Sequence, residues 1–318
     1  MAPRRRPMNQ QVVYLDGRFL PEPDARVPLL THALQYGTGV FEGIRAYYEP
    51  HSGETLLFRA TDHFARMARN VRFLSITLPA PPHELVRLAA ELVRLNSFTG
   101  DCLVRAIAYK SEVDVGVGLP EQDSFALAAV PLEDDPYGRA GLHCGVSSWR
   151  RLSDNSIPCR AQICGAYVNS SLAAQEARER RFDDAILLNE DGRIAEGSSM
   201  NIFLVRDERL VTPAVTEGIL EGITRDTVIT LARDLMNVDT DARAVDRAEL
   251  YVADEVFLCG TAGQIAPVTR IDGRPVGLGE PGPVTRELQH LYEEAVRGRL
   301  PGYRHWVEPV YGYARITA

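Results

Sequence analysis

The sequence predicts a mixed α/β (α+β) protein folded as two domains, and three observations carry that reading. A chain of 318 residues is long enough for about two domains, each with its own core. Two apolar runs joined by an Asp-Gly pair occur twice, at 12–19 and 184–196. That is the signature of paired strands around a tight turn. Between such units lie segments of helical period. Residues 82–96 place Leu85, Val86, Leu88, Leu92, Val93 and Leu95 largely on one face, and residues 220–226 lead into a helix on which Val228, Ile229, Ala232 and Leu235 share one face.

Composition is that of a globular protein, 45% hydrophobic and 25% charged. The formal net charge of −8 disfavours nucleic acid or an anionic membrane as an electrostatic partner. No apolar run approaches the ~20 residues of a membrane-spanning helix. The basic start, residues 1–7, lacks the apolar stretch of a secretory signal and reads as a short disordered tail. Five cysteines, at 102, 144, 159, 164 and 259, show no CxxC pair and no zinc spacing. No metal site is expected, and the odd count suits a reducing cytoplasm. Cys164 reads as a small buried residue. Lys110 is the sole lysine among 35 basic residues.

In chain order, residues 56–67 read as a strand entering a helix capped by Thr61 or Asp62. Residues 102–109 form an apolar strand with Arg105 inside it, which is costly unless the guanidinium is partnered. Lys110 lies five residues on, so a regular strand turns it to the opposite face, and a surface lysine is expected. The acidic, Pro- and Gly-bearing stretch 131–139 reads as a linker. The predicted domains are therefore 1–136, small and N-terminal, and 137–318, larger and C-terminal. Residues 156–165 run into a helix at 171–181, with Asn169 or Ser170 as its cap. A buried strand at 251–259 and a C-terminal helix at 282–297, with Pro283 in its first turn, complete the chain.

Six strings in register carry a family resemblance: HALQYGTGVFEGIR at 32–45, RATDHFAR at 59–66, QICGAYVNSS at 162–171, EGSSMNIF at 196–203, LEGITR at 220–225 and ADEVFLCGTA at 253–262. Together they are similar to the fold-type-IV (class IV) aminotransferases that use pyridoxal 5'-phosphate (PLP), nearest to the branched-chain amino acid aminotransferases. The resemblance spans roughly residues 12 to 310. It implies a small N-terminal α/β domain, a larger pseudobarrel domain and a homodimer. The loop at 115–118 matches one that reaches into the neighbouring subunit in such dimers.

Site residues follow from the same matches. Arg59, Ile223, Thr224 and Thr261 would hold the cofactor phosphate, a role that suits a guanidinium fork and a helix N-terminus. Tyr167 would hydrogen-bond the phenolic oxygen, and Glu196 would face the pyridine nitrogen and keep it protonated. Tyr36, Phe41, Arg45, Arg105, Thr261 and Ala262 would shape the pocket for a small amino acid or keto acid. The family's covalent lysine, however, matches Gln162. A carboxamide nitrogen is no nucleophile and no base at neutral pH, so PLP or its amine form, pyridoxamine 5'-phosphate (PMP), would be held non-covalently. The family continues from Thr-Ala with Ala-Glu, where this chain has Gly263-Gln264.

Three readings stay open: a diverged enzyme that keeps the cofactor pocket, with lyase chemistry as one branch; an ordinary branched-chain aminotransferase whose lysine was replaced; and a non-catalytic binding protein.

Overall fold

The computed structural model describes residues 11–132 and 141–312. The expected N-terminal tail, the predicted boundary at 137 and most of the expected linker lie outside them. Two compact units are found. Residues 11–132 with 162–165 and 294–312 form one, and residues 141–161 with 166–293 form the other. The polypeptide thus returns twice to its first unit, which a single cut in the sequence cannot express.

The first unit is built on a seven-stranded sheet among the described residues. Strands β1 (Val12–Leu15) and β2 (Arg18–Pro21) form a hairpin. Its turn residues Asp16 and Gly17 both have positive φ, 45° and 90°, the conformation that an Asp-Gly pair tolerates. Helix α1 (His32–Tyr36) leads into β3 (Gly39–Glu49) and β4 (Glu54–Phe58). Helices α2 (Ala60–Asn70) and α3 (Pro82–Asn96) follow, then β5 (Cys102–Lys110) and β6 (Asp123–Pro131).

Alternation along β3 decides what faces what. Val40, Glu42, Ile44 and Ala46 point to the covered face with Phe64 and Met67 of α2 in the same core. Phe41 and Gly43 point to the other, more open face. Helix α2 does not start as expected. Its N-cap is Arg59, in the left-handed region at φ 50°, rather than Thr61 or Asp62. Asp62 instead accepts a 2.6 Å bond from Arg59 Nε.

Strand β5 inverts the expected burial. Arg105 lies on the exposed face, whereas Lys110 is 2% exposed and ion-paired with Asp123 Oδ1 at 2.8 Å. Its ammonium also donates to Ser75 O at 2.8 Å. The odd spacing does separate the two side chains, but α3 and its connections cover the lysine side.

The second unit carries a nine-stranded mixed sheet among the described residues. Its strands are β7 (Leu142–Arg150), β8 (Asp184–Leu188), β9 (Ile194–Gly197), β10 (Asn201–Arg206), β11 (Arg209–Pro213), β12 (Thr240–Arg243), β13 (Glu255–Gly260), β14 (Gln264–Ile271) and the short β15 (Arg274–Pro275). Helix α4 (Tyr167–Glu179) crosses between the parallel pair β7 and β8, and α5 (Ile223–Met236) leads to β12, which lies parallel to β11. Helix α6 is Pro283–Val296. A core of Leu142, Ile186, Ile202, Leu204, Val256 and Leu258, among others, fills one side of the sheet. Helix α4 starts at Tyr167, four residues before the expected start. A 3-10 turn at Cys164–Ala166 feeds straight into it, so neither Asn169 nor Ser170 caps it. The last strand, β16 (Val307–Pro309), pairs with β4 in the first unit.

Candidate cofactor and substrate site

In the first unit, residues 162–165 lie along an edge of β3 that β4 does not cover. Strand β4 pairs with β3 only over Ala46–Glu49. At the other end, Phe41 N–H donates to Gln162 O at 3.0 Å, Val40 bridges Ile163, and Gly165 N–H donates to Gly37 O at 3.1 Å. Gly37 ends α1 at φ 68°, and a Cβ there would stand 2.6 Å from Gly165 Cα. The turn and the close approach both require glycine.

This placement brings the Gln162 side chain to a buried charged cluster. Arg66 grips Glu42 with two bonds, Nε to Oε1 at 2.8 Å and NH2 to Oε2 at 2.7 Å, and its NH2 also donates to Gln162 Oε1 at 2.9 Å. His63 Nδ1 stands 2.8 Å from Glu42 Oε2. Burial pushes the Glu42 carboxyl up, but the charge and hydrogen bonds of Arg66, joined by His63, prevail and lower its pKa. Burial lowers His63, outweighing the pull of Glu42. A lowered pKa favours the neutral imidazole, whose Nδ1 faces the carboxylate.

The open face of β3 and β5 carries Phe41 and Arg105, whose guanidinium lies 4.6 Å from the Phe41 ring centroid, and Arg105 pairs across the sheet with Gly43. A cation over an aromatic face beside a glycine leaves room for a small carboxylate. Cys164 is half-buried rather than buried, and burial raises its thiol pKa. Arg45 does not join this group. Its guanidinium is buried against Asp101, 2.9 Å away, and stacks 4.9 Å from Tyr47. Tyr36 is 40% exposed and donates its hydroxyl to Val115 O at 2.7 Å, tying α1 to the 113–119 loop. Arg59, apart from its bond to Asp62, lies over the Trp306 ring at 5.2 Å.

In the second unit Glu196 on β9 is the centre of a buried polar cluster. Its Oε2 accepts from Leu220 N–H and Asn201 Nδ2, both at 3.0 Å, and its Oε1 faces Arg151 NH2 at 2.8 Å. Burial dominates here and raises the Glu196 pKa, despite the pull of Arg151 and Arg225. Arg225 is half-buried, and that burial lowers its pKa; it donates to Thr212 and to Pro213 O. Ile223 and Thr224 are the first two residues of α5, behind a Gly222 N-cap. A Cβ on Gly222 would collide with the Asn201 carboxamide, so the glycine lets the helix N-terminus close on the Glu196 cluster. Thr261 and Ala262 form the turn after β13, closed by Gly260 opposite Gln264. Gln264 takes φ 53°. Asn201 pairs with Cys259 across β10 and β13, two residues from Thr261. Tyr167 opens α4 and contributes to the electrostatic surroundings of Arg151.

Sequence reasoning missed Glu42, His63, Arg66, Arg151, Asn201 and Arg225. The available signal was a charged group in phase with a patterned face: Glu42 between Val40 and Ile44 on a strand, and Arg66 three residues after His63 on a helix. Among the described residues no group of three or more His, Cys, Asp or Glu could hold a metal ion. No helix among them is long and apolar enough to cross a membrane.

The sequence model of amino-transferase class IV matches residues 39–271, and the chain belongs to that family. It is 42% identical over 303 residues to a probable branched-chain-amino-acid aminotransferase of Aquifex aeolicus, covering 94% of this chain and 96% of that one. It is also similar to the branched-chain aminotransferase of Thermoproteus uzoniensis crystallised with norvaline: 40% identity, TM-score 0.91, coverage 95% and 99%. The branched-chain amino acid aminotransferase of Thermobaculum terrenum, crystallised in its PLP-form, gives 36% identity and a TM-score of 0.91, with coverage of 96% and 99%. The mixed α/β architecture expected from the sequence is that of these structures.

Proposed function

We propose that this branched-chain-aminotransferase-like protein binds PLP or PMP without a covalent link and acts on a small amino acid or keto acid. The buried Glu196 cluster at the N-terminus of α5 carries this reading. The residues present fit the cofactor's two poles. Helix α5 offers its positive end, with Thr224 and the half-buried Arg225 in its first turn, to a phosphate. Glu196 offers a carboxylate with three donors already placed and room in its lone pairs for one more cationic partner. The Thermobaculum terrenum relative is described in a PLP-form, which agrees with this donor set.

When bound, the cofactor supplies an electron sink for chemistry at an amino-bearing carbon. Glu196 would hold a proton at the ring nitrogen, Tyr167 would donate to the phenolic oxygen, and Arg59 and Thr261 would add phosphate contacts. Phe41 and Arg105 receive the ligand carboxylate, while the buried Arg45 braces β3 through Asp101. Gln162 hydrogen-bonds and moves no proton. Lys110 is committed to Asp123 and Ser75, so it offers no substitute attachment point. This favours a diverged enzyme over an unaltered aminotransferase mechanism.

A homodimer belongs to the same reading. Leu29, at 80% exposure, and Val117, at 85%, stand on segments tied together by the Thr31–Val113 bridge. An exposed apolar face of this kind is what a partner subunit covers. Sedimentation should show a dimer that Leu29→Asp with Val117→Asp dissociates.

Equilibrium dialysis with PMP tests the cofactor reading. Glu196→Ala or Thr224→Val should weaken binding about fivefold or more per lost contact. Absence of PMP and PLP binding at millimolar ligand would end this reading.

A further inference from the structure

We infer that Arg66, locked by Glu42 and His63, is a positioning residue that fixes the Gln162 carboxamide, holding its oxygen and setting the direction of its NH2 group. The amide orientation follows from the chemistry of its neighbour. Arginine has donors and no acceptor, so the Gln162 atom 2.9 Å from Arg66 NH2 must be the oxygen. Because the amide is planar, the nitrogen then projects about 120° away from Arg66.

The clamp is rigid for three reasons. Arg66 is held at two points by a carboxylate with no exposed surface. His63 and Arg66, three residues apart on α2, face the same strand, and His63 braces the second carboxylate oxygen. The backbone of Gln162 is itself pinned by Phe41 N–H. A side chain that must accept from Arg66 is favoured at this position. A lysine would turn a donor toward a donor and lose the bond. The direction of the NH2 group is thereby fixed together with that of the oxygen.

The test has two arms, and only the second rests on the cofactor reading. In the first, the side-chain amide resonances of selectively 15N-labelled glutamine are recorded without ligand, with Gln162 assigned by its loss in Gln162→Met. A clamped amide gives two well-separated proton signals with slowed solvent exchange. In Glu42→Gln/Arg66→Met both charges leave together, so no buried ion is orphaned. The Gln162 signals should then move to free-glutamine positions. Unchanged signals would overturn the clamp.

In the second arm, PMP affinity is measured for Gln162→Met, for Glu42→Gln/Arg66→Met and for the triple variant. If Arg66 acts through Gln162, each weakens binding about fivefold, the value of one hydrogen bond, and the triple is no weaker than either. Multiplying effects would show that Arg66 does not act through Gln162 and would overturn the proposal. If PMP does not bind the unaltered protein, the cofactor reading fails, and the first arm alone decides the clamp.

Discussion

Each unit buries one glutamate beside an arginine, yet the two carboxyls titrate in opposite directions. Glu42, in the first unit, accepts two bonds from Arg66 and one from His63, and its pKa is lowered. Glu196, in the second, meets one arginine nitrogen, one backbone N–H and one amide, and burial raises its pKa. A bidentate guanidinium returns more of the lost hydration than a single contact with neutral donors. The first site is a closed structural clamp. At the second, those contacts do not outweigh burial.

The largest expected effect breaks the closed cluster. Arg66→Met leaves Glu42 buried without its counter-ion and should cost about 3–5 kcal/mol, read as a lowered midpoint in urea. Glu42→Gln/Arg66→Met should recover most of that loss. If the single variant were as stable as the double, the clamp would contribute little. Gly37→Ala should rank next, at about 1–3 kcal/mol, because the αL turn and the approach to Gly165 both exclude a Cβ.

Next comes an opposition in pH dependence. Glu42 and His63 both have lowered pKa values in the fold. Their stabilisation is complete above the unfolded values, ~4.3 and ~6.5, and is lost as pH falls through the folded ones. Glu196 is raised, so its contribution is present below ~4.3 and is lost as pH rises through the folded value. Between those limits the two units should move oppositely. Trp306 belongs to the first unit and Trp149 to the second, and the chain has no other tryptophan. Single-tryptophan variants, Trp149→Phe and Trp306→Phe, can therefore follow each unit. Glu42→Gln should flatten the acid loss reported by Trp306, and Glu196→Gln the alkaline loss reported by Trp149. Parallel curves for both reporters would refute the comparison. The smallest effect on stability is that of Arg105→Gln, within about 0.5 kcal/mol for an exposed side chain, yet it should weaken leucine binding measured by calorimetry.

Period and turn chemistry were legible in the sequence. Helix α3 runs over Pro82–Asn96 as its apolar spacing predicts, and the Asp16-Gly17 hairpin turns where expected. Motif order pointed to Glu196, Ile223 and Thr224, which lie on β9 and at the start of α5. Which face of β5 is covered was not legible, because alternation separates Arg105 from Lys110 without saying which one an element packs on. Arg45 was assigned to the pocket by the resemblance of the 32–45 string, and its bond to Asp101, 56 residues away, could not be read from that string. Glu42 and Arg66 were passed over for a related reason. Charged residues are rarely buried, and only the packing of α2 on β3 shows that these two satisfy each other.

The most direct single measurement is the intact mass of the protein after saturation with PLP, borohydride treatment and dialysis, for the unaltered chain and for Gln162→Lys, with bound cofactor quantified beforehand. Cofactor bound at one equivalent per chain with no mass increase, and a stable adduct mapping to residue 162 only in the variant, is the predicted result. An adduct on Lys110 of the unaltered chain, or no cofactor bound in either protein, would contradict the account.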